Sequence, residues 1–241
     1  MLSPVEIAFL VGVAVTASAA GSIAGTGGTA ILLPPMVYFL GVKDAIPLVT
    51  LCNLTANFSR AALNWSEVDR RAVFWFAIAG VPLAIVGTYI FVISPPAVIQ
   101  KLLGIALIVA LIARRRGFVL KSFRDPRPFA FLGGSFGFLY GMTEGIGALM
   151  APVFLAYGLV KGAYIGTDAL ATFFVQATKI ITLGSLDSLR TDALYLAAAL
   201  VPAMVAGSWL GKVAMRYITP QLFVIIVEVA IGVTGVWFLL S

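Results

Sequence analysis

The sequence predicts an all-α membrane protein built from two inverted repeats, each with about five hydrophobic segments and a short helix after a glycine-rich break. Three observations support this prediction: the composition, the lengths of the apolar runs, and an ordered series of matching residues in the two halves. Of the 241 residues, 61% are hydrophobic and only 11% are charged, whereas soluble domains carry about 25% charged residues. Because so few charged side chains cannot cover a water-exposed surface, we expect the chain to lie in a lipid bilayer.

Ten apolar segments alternate with loop residues along the chain. Most have the ~20 residues that a helix needs to cross ~30 Å of hydrocarbon. The second and the seventh are shorter and reach only about 18–20 Å at 1.5 Å per residue, which leaves open whether they span the bilayer or re-enter it. Each of them follows a glycine-rich break. The predicted segments are 4–23, 29–40, 45–64, 72–93, 96–112, 129–141, 147–159, 162–183, 191–213 and 220–240.

A basic connection separates the two halves. Residues 114–127 contain six Arg or Lys and one Asp, a net charge of 6 − 1 = +5 out of +6 for the whole chain. Between two apolar segments such a run is typical of a cytoplasmic loop rather than of a nucleic-acid site, so no nucleic acid is expected as a partner. The predicted organisation is a transmembrane repeat over 1–113, a cytoplasmic linker over 114–128 and a second repeat over 129–241. Both termini are then expected on the outer side of the cell membrane.

The two halves match in sequence when Pro35 is placed over Pro152. An odd number of segments in each half inverts the second half relative to the first. Inverted repeats with broken segments at matching positions are typical of secondary transporters, whose substrate site lies between the repeats. The matching pairs include Thr26 with Thr143, Gly28 with Gly145, Gly41 with Gly158, Thr50 with Thr167, and Gly87 with Gly207.

The glycine-rich breaks are predicted to form an anion site. The short segments 29–40 and 147–159 would begin at the breaks, where the free N–H groups of a helix N-terminus attract anions. Glycine also allows a ligand to approach the backbone closely. The alternative interpretation is helix packing through pairs of small residues. The predicted lining residues are Gly25, Thr26, Gly27, Gly28 and Thr29 in the first break, and Gly141, Thr143, Gly145 and Gly147 in the second.

Two long segments carry a stripe of polar side chains on one helical face. Ionisable groups inside a membrane usually face a cavity or a partner. Lys179 is predicted to hold an anionic group of the substrate, and an ion pair with an acid on another helix is its alternative role. Arg60 is the other predicted cation, unless it extends to the membrane interface. The stripe residues are Asn53, Asn57 and Arg60 in the third segment, and Asp168, Thr172, Gln176 and Lys179 in the eighth.

Glu144 occupies the second break where the first break has Gly27. A carboxylate would compete with an anionic substrate, so three roles are open: a cap for the next helix, an ion pair with Lys179, or a carrier of a coupling proton. The chain has no histidine. We therefore take Glu144 and Asp168 as the proton-coupling candidates.

The residue inventory argues against several other functions. Without histidine, and with Cys52 as the one cysteine, a metal or haem site is not expected. The sequence shows no constellation of nucleophile, base and metal, so we expect no enzymatic activity and no cofactor. The expected partners are a small anion and the lipid bilayer. A homodimer is left open.

The motifs GSIAGTGGTAILLPP (residues 21–35) and GFLYGMTEGIGALMAP (residues 137–152) resemble the sulfite exporter TauE/SafE family, and the resemblance covers nearly the whole chain. It implies a multi-pass permease of the cell membrane that exports sulfite, sulfoacetate or other sulfonates. The glycine motif of the family corresponds to Gly25, Gly27 and Gly28, and its second copy to Gly141, Gly145 and Gly147.

Together these observations predict a secondary transporter for small sulfur-containing anions that works by alternating access. The resemblance implies export as the direction, and proton coupling is left open. A passive anion channel is the alternative, followed by a non-transporting membrane scaffold.

Overall fold

The computed structural model describes residues 3–24, 27–116, 123–189 and 191–214, together with 229, 232–233 and 235–240. Up to residue 214 these residues form nine α-helices and two short 3-10 turns, and residues 235–240 are also helical. No strand occurs among the described residues, which confirms the predicted all-α class. The tenth predicted segment, 220–240, lies mostly outside the described residues. The helices are α1 (Pro4–Ala24), α2 (Gly27–Leu40), α3 (Val42–Leu63), α4 (Arg70–Ile93), α5 (Pro96–Arg115), α6 (Pro128–Met142), α7 (Ala151–Tyr157), α8 (Lys161–Ser185) and α9 (Thr191–Ala214).

The seventh segment differs most from its prediction. Instead of one helix over 147–159, the chain forms a 3-10 turn at Ile146–Leu149 and then the short helix α7. Gly158 ends α7 with φ of 101°, and its N–H donates to the carbonyl of Leu155 at 3.0 Å. This left-handed ending suits glycine, which has no Cβ to strain the backbone. The other described helices begin and end within a few residues of the predicted bounds.

Apolar surface is exposed on several helices. Among the described residues, α4 is the one helix long and apolar enough to cross a membrane by length and composition, with a mean hydropathy of 2.3. Large side chains such as Phe74 on α4, Phe131 on α6 and Ile181 on α8 are more than half exposed. Extended exposed apolar surface marks contact with a partner or a membrane. Shorter apolar stretches are Pro4–Ala20, Ile31–Leu40, Pro96–Val109 and Leu194–Gly207.

The helices pair across the two halves of the chain. α4 packs along α6, α1 along α9, and α3 along α8. Glycines bring the backbones together: a methyl group on Gly137 would overlap the backbone of Gly80, and one on Gly87 would overlap the carbonyl of Phe138. A methyl group on Gly207 of α9 would likewise overlap Val15 of α1. Close backbone contact through small residues is typical of helix pairs in membranes.

Two apolar clusters surround the α3–α8 contact. The first contains residues of α1, α2, α3 and α9, among them Leu10, Leu32 and Ile46. The second contains residues of α4, α6, α7 and α8, among them Phe76 and Val175. α8 contributes to both clusters, since Leu183 belongs to the first and Val175 to the second. α3 and α8 pack along each other, and residues of both polar stripes line one cavity.

Candidate substrate-binding cavity

A cavity of about 50 Å³ lies where the polar stripes of α3 and α8 meet. Its wall also includes the first turn of α2, the break after α6, and residues of α1 and α9, so both halves contribute to it. The lining residues are Ala17, Ser18, Gly28, Thr29, Asn53, Ala56, Asn57, Arg60, Tyr140, Glu144, Gly145, Gly147, Asp168, Thr172, Gln176 and Met204.

Most of the site residues predicted from sequence line this cavity. Those in the wall are Gly28, Thr29, Asn53, Asn57, Arg60, Glu144, Gly145, Gly147, Asp168, Thr172 and Gln176.

The other predicted residues lie elsewhere. Gly141 packs against the backbone of α4, and the Thr143 hydroxyl donates to the carbonyl of Leu139 at 2.9 Å. Gly27 begins α2. Gly25 and Thr26 lie outside the described residues. Lys179 lies behind the cavity wall.

The carboxylate of Glu144 is buried and hydrogen-bonded at both oxygens. Lys179 Nζ lies 3.3 Å from Oε1, and the two side chains are 0% and 1% exposed. The hydroxyl of Thr50 donates to the same oxygen at 2.6 Å, and Asn53 Nδ2 donates to Oε2 at 3.2 Å. A buried ion pair persists only when its remaining hydrogen-bonding positions are also filled, and these donors fill them for Glu144.

Lys179 is bound by the end of α6 as well as by Glu144. Its ammonium group donates to the carbonyl of Tyr140 at 2.8 Å and to that of Thr143 at 3.0 Å. The last carbonyls of a helix have no partner within the helix and attract cations. With Glu144, these carbonyls account for all three N–H donors of the lysine. The ion pair with Glu144, one of the alternatives for both residues, is the arrangement that the structure shows.

The position of Glu144 follows from local backbone geometry. α6 ends at Met142, and the N–H of Thr143 still donates to the carbonyl of Leu139 at 2.8 Å. Gly145 then adopts φ of 85°, a left-handed conformation that glycine enters without steric cost. The helix thus ends two residues before Glu144, and the carboxylate of Glu144 reaches Thr50 and Asn53 of α3.

A chain of polar contacts continues along α3. Asn53 Nδ2 also donates to the hydroxyl of Thr29 at 3.1 Å, which joins α3 to the first turn of α2. One helical turn further, Asn57 Nδ2 donates to Gln176 Oε1 of α8 at 2.8 Å. The Oδ1 atom of Asn57 accepts a hydrogen bond from the guanidinium of Arg60. The amides thus position Arg60 in the cavity wall.

Asp168 lines the same cavity in a different environment. Its side chain is buried, the residue being 5% exposed, and its Oδ1 atom has no hydrogen-bond partner among the described residues. The charge of Arg60 acts on it electrostatically. A buried polar atom without a partner costs free energy, so a carboxylate left in this state points to a role beyond packing.

Three contributors to the site were not predicted as site residues. Thr50 extends the stripe of α3 by one turn, since it precedes Asn53 by three residues, and that spacing was a usable signal. Tyr140 carried no comparable signal because tyrosine is also common at membrane interfaces. The hydroxyl of Ser18 in α1 donates to the carbonyl of Met204 in α9 at 2.5 Å, a contact that sequence alone does not indicate.

A helical chain with an apolar surface and a polar cavity between its two halves has the features of a membrane transporter. Residues 9–238 match the model of the family described as Sulfite exporter TauE/SafE. The chain therefore belongs to this family of membrane transporters, which confirms the resemblance seen in its glycine motifs. Comparisons with curated proteins and with solved structures found no match.

Proposed function

We propose that the protein carries small sulfur oxyanions, and sulfite in the first place, across the cell membrane through the cavity between α3 and α8. The family supports transport of this class of anion and the direction of export. One observation carries the proposal: the cation Arg60 lines the cavity, together with amide and hydroxyl groups from both halves of the chain.

The donors of the cavity suit an oxyanion. A guanidinium presents five N–H groups in a planar fork that matches the oxygens of such an anion. Gly28 and Thr29 in the wall belong to the first turn of α2, where backbone N–H groups are free to bind an anion. A fixed cation and a helix N-terminus thus face the same space.

The size of the cavity favours the smallest members of the substrate class. A water-sized group needs about 10–15 Å³ by a comparable measure, so about 50 Å³ admits a few such groups. Sulfite, a sulfur atom with its oxygens, is of this size. Sulfoacetate adds a methylene and a carboxylate, and other sulfonates add an organic group, so the cavity must widen to take them.

Transport by alternating access accounts for the arrangement of the helices. If α1 to α4 correspond to the segments from α6 to α9, the α4–α6 contact and the α1–α9 contact are equivalent, and α3–α8 lies at the centre. The matching residues Gly87 and Gly207 both lie at these equivalent contacts. Two inverted halves around a central site are suited to rocking that opens the site to each side in turn.

The proposal includes an orientation in the membrane. The linker 114–128 lies in the cytoplasm and both termini lie outside, because Lys and Arg accumulate in cytoplasmic loops. Arg124 and Arg127 of this linker are exposed. The orientation can be tested with single cysteines introduced at these positions and a membrane-impermeant thiol reagent applied to whole cells. The proposed orientation predicts no labelling, and labelling from outside would mean that the linker lies on the outer side.

Ligand binding to the purified protein tests the cavity. Sulfite should raise the melting temperature, sulfoacetate less so, and a cation such as choline not at all. Arg60→Gln should remove the effect of sulfite. Arg70→Gln is the matched control, because Arg70 is exposed beside Trp65 at the start of α4. No shift with any anion would overturn the proposed function.

Transport in proteoliposomes separates a carrier from a channel. A carrier exchanges labelled sulfite against unlabelled sulfite on the other side and shows counterflow, because its site faces one side at a time. A passive anion channel shows no counterflow, and that result would replace alternating access with the alternative.

A further inference from the structure

The cavity contains two carboxylates with different capacities to accept a proton. Glu144 is held by Lys179, Thr50 and Asn53. Protonating it would leave the ammonium of Lys179 as an uncompensated buried charge, which is strongly unfavourable. Asp168 has an Oδ1 atom with no hydrogen-bond partner among the described residues, so a proton can bind there without breaking a hydrogen bond.

An anion in this cavity lies close to Asp168. The cavity measures only about 50 Å³, and Arg60 and Asp168 both line it. Two like unit charges about 4 Å apart, at an effective dielectric constant near 20, repel strongly enough to weaken binding by roughly a thousandfold. An anion can therefore occupy the site near Arg60 only when Asp168 is neutral.

We propose that Asp168 takes up one proton from solvent for each monovalent anion that binds near Arg60, so that proton and anion occupy the cavity together and are released together. This inference rests on the proposed function and assigns the coupling to one residue. The proton binds at Oδ1 of Asp168, and the anion then balances the charge of Arg60. The Glu144–Lys179 pair stays ionised and holds α8 to the end of α6.

The charged groups around Asp168 support this assignment. Lys179, on the same helix, is occupied by Glu144 and two carbonyls. Asp69, which precedes α4, accepts hydrogen bonds from the backbone of Arg71 and from Tyr157 of α7. The titratable groups on the elements packed against α8 near this face are Arg60 of α3, Tyr140 of α6, Glu144 of the break, Glu67 of the turn Trp65–Glu67, Asp69 and Tyr157.

Isothermal titration with methanesulfonate tests the inference. This anion stays ionised at every pH used, and the chain has no histidine, so proton uptake reports on a perturbed group of the protein. Titrations in two buffers of different ionisation enthalpy give the number of protons taken up per anion. For the unmodified protein we expect uptake of one proton per anion in the pH range where Asp168 is ionised in the empty site and protonated in the complex. Within that range the affinity should fall about tenfold per pH unit.

Three variants identify the residue. Asp168→Asn should bind methanesulfonate with an affinity independent of pH and without proton uptake, whereas Glu144→Gln and the control Asp187→Asn, at an exposed position after α8, should retain proton uptake. Zero protons taken up by the unmodified protein would overturn the inference, as would uptake that persists in Asp168→Asn or an Asp168→Asn protein that binds no anion. Absence of anion binding by the unmodified protein at every pH would instead overturn the proposed function.

Discussion

Two carboxylates in the same cavity wall have opposite surroundings. Glu144 is contacted by a lysine, a threonine hydroxyl and an asparagine amide. Asp168 has an oxygen without a hydrogen-bond partner in the part of the chain that the structure describes. Because donors on neighbouring helices differ while burial is similar, the comparison teaches that hydrogen-bond donors, rather than burial, distinguish the surroundings of the two acids.

The surroundings of Glu144 also explain how the second break tolerates a carboxylate where the first has Gly27. Thr50 and Asn53 of α3 and Lys179 of α8 together compensate its charge. The acid therefore does not present an uncompensated negative charge to an anion in the cavity. A network that crosses between the halves takes the place of the glycine.

Among the changes considered, removing Lys179 should have the largest effect on the stability of the protein. Lys179→Met leaves Glu144 as an unpaired buried charge, which we expect to lower the free energy of unfolding by about 3–5 kcal/mol. Thermal unfolding in detergent measures the loss. The double variant with Glu144→Gln should recover most of it, and Lys101→Met, at an exposed position of α5, should change little. Strictly additive losses in the double variant would contradict the ion pair.

Removing one donor of Glu144 should have a smaller effect. Thr50→Val deletes a hydrogen bond to a charged group and should cost about 1.5–3 kcal/mol. Thr88→Val is the matched control, because Thr88 is also fully buried but donates to the carbonyl of Ala84 in its own helix at 2.7 Å. Equal losses in the two variants would mean that the contact with Glu144 contributes nothing beyond the intrahelical bond.

Displacing α6 should separate Glu144 from its donors. Gly137→Ala places a methyl group into the backbone of Gly80, and such overpacking costs about 1–3 kcal/mol. Gly12→Ala is the control, because a methyl group there meets nothing within 4 Å and alanine favours the helix by about 0.5–1 kcal/mol. Comparable melting temperatures for both variants would show that α6 is not held by close contact with α4.

Neutralising Asp168 should have the smallest effect on stability. Asp168→Asn replaces an oxygen that accepts no hydrogen bond among the described residues, so we expect a change below about 1 kcal/mol. Glu144→Gln, measured beside it, should cost clearly more because Lys179 loses its counter-charge. Similar losses for the two variants in thermal unfolding would remove the distinction between the two acids.

Much of the site was predictable because its residues repeat at helical spacing. Asn53, Asn57 and Arg60 share a face in the sequence pattern, and all three line the cavity. The hydrogen-bond partners of Glu144 could not be predicted from helical spacing. Its donors lie 94 residues before it in Thr50 and 35 residues after it in Lys179, and no local pattern relates positions so far apart.

The sequence by itself determined the all-helical class, the family and most of the polar residues of the cavity, because hydrophobic period and glycine-rich breaks are properties of short stretches of chain. The tertiary structure decided which charges meet. Packing of α3 against α8, and the turn at Gly145, bring Lys179 to Glu144 and leave Asp168 facing the cavity. The physical reason is that compensation of a buried charge depends on donors within about 3 Å, and only the folded chain places those donors.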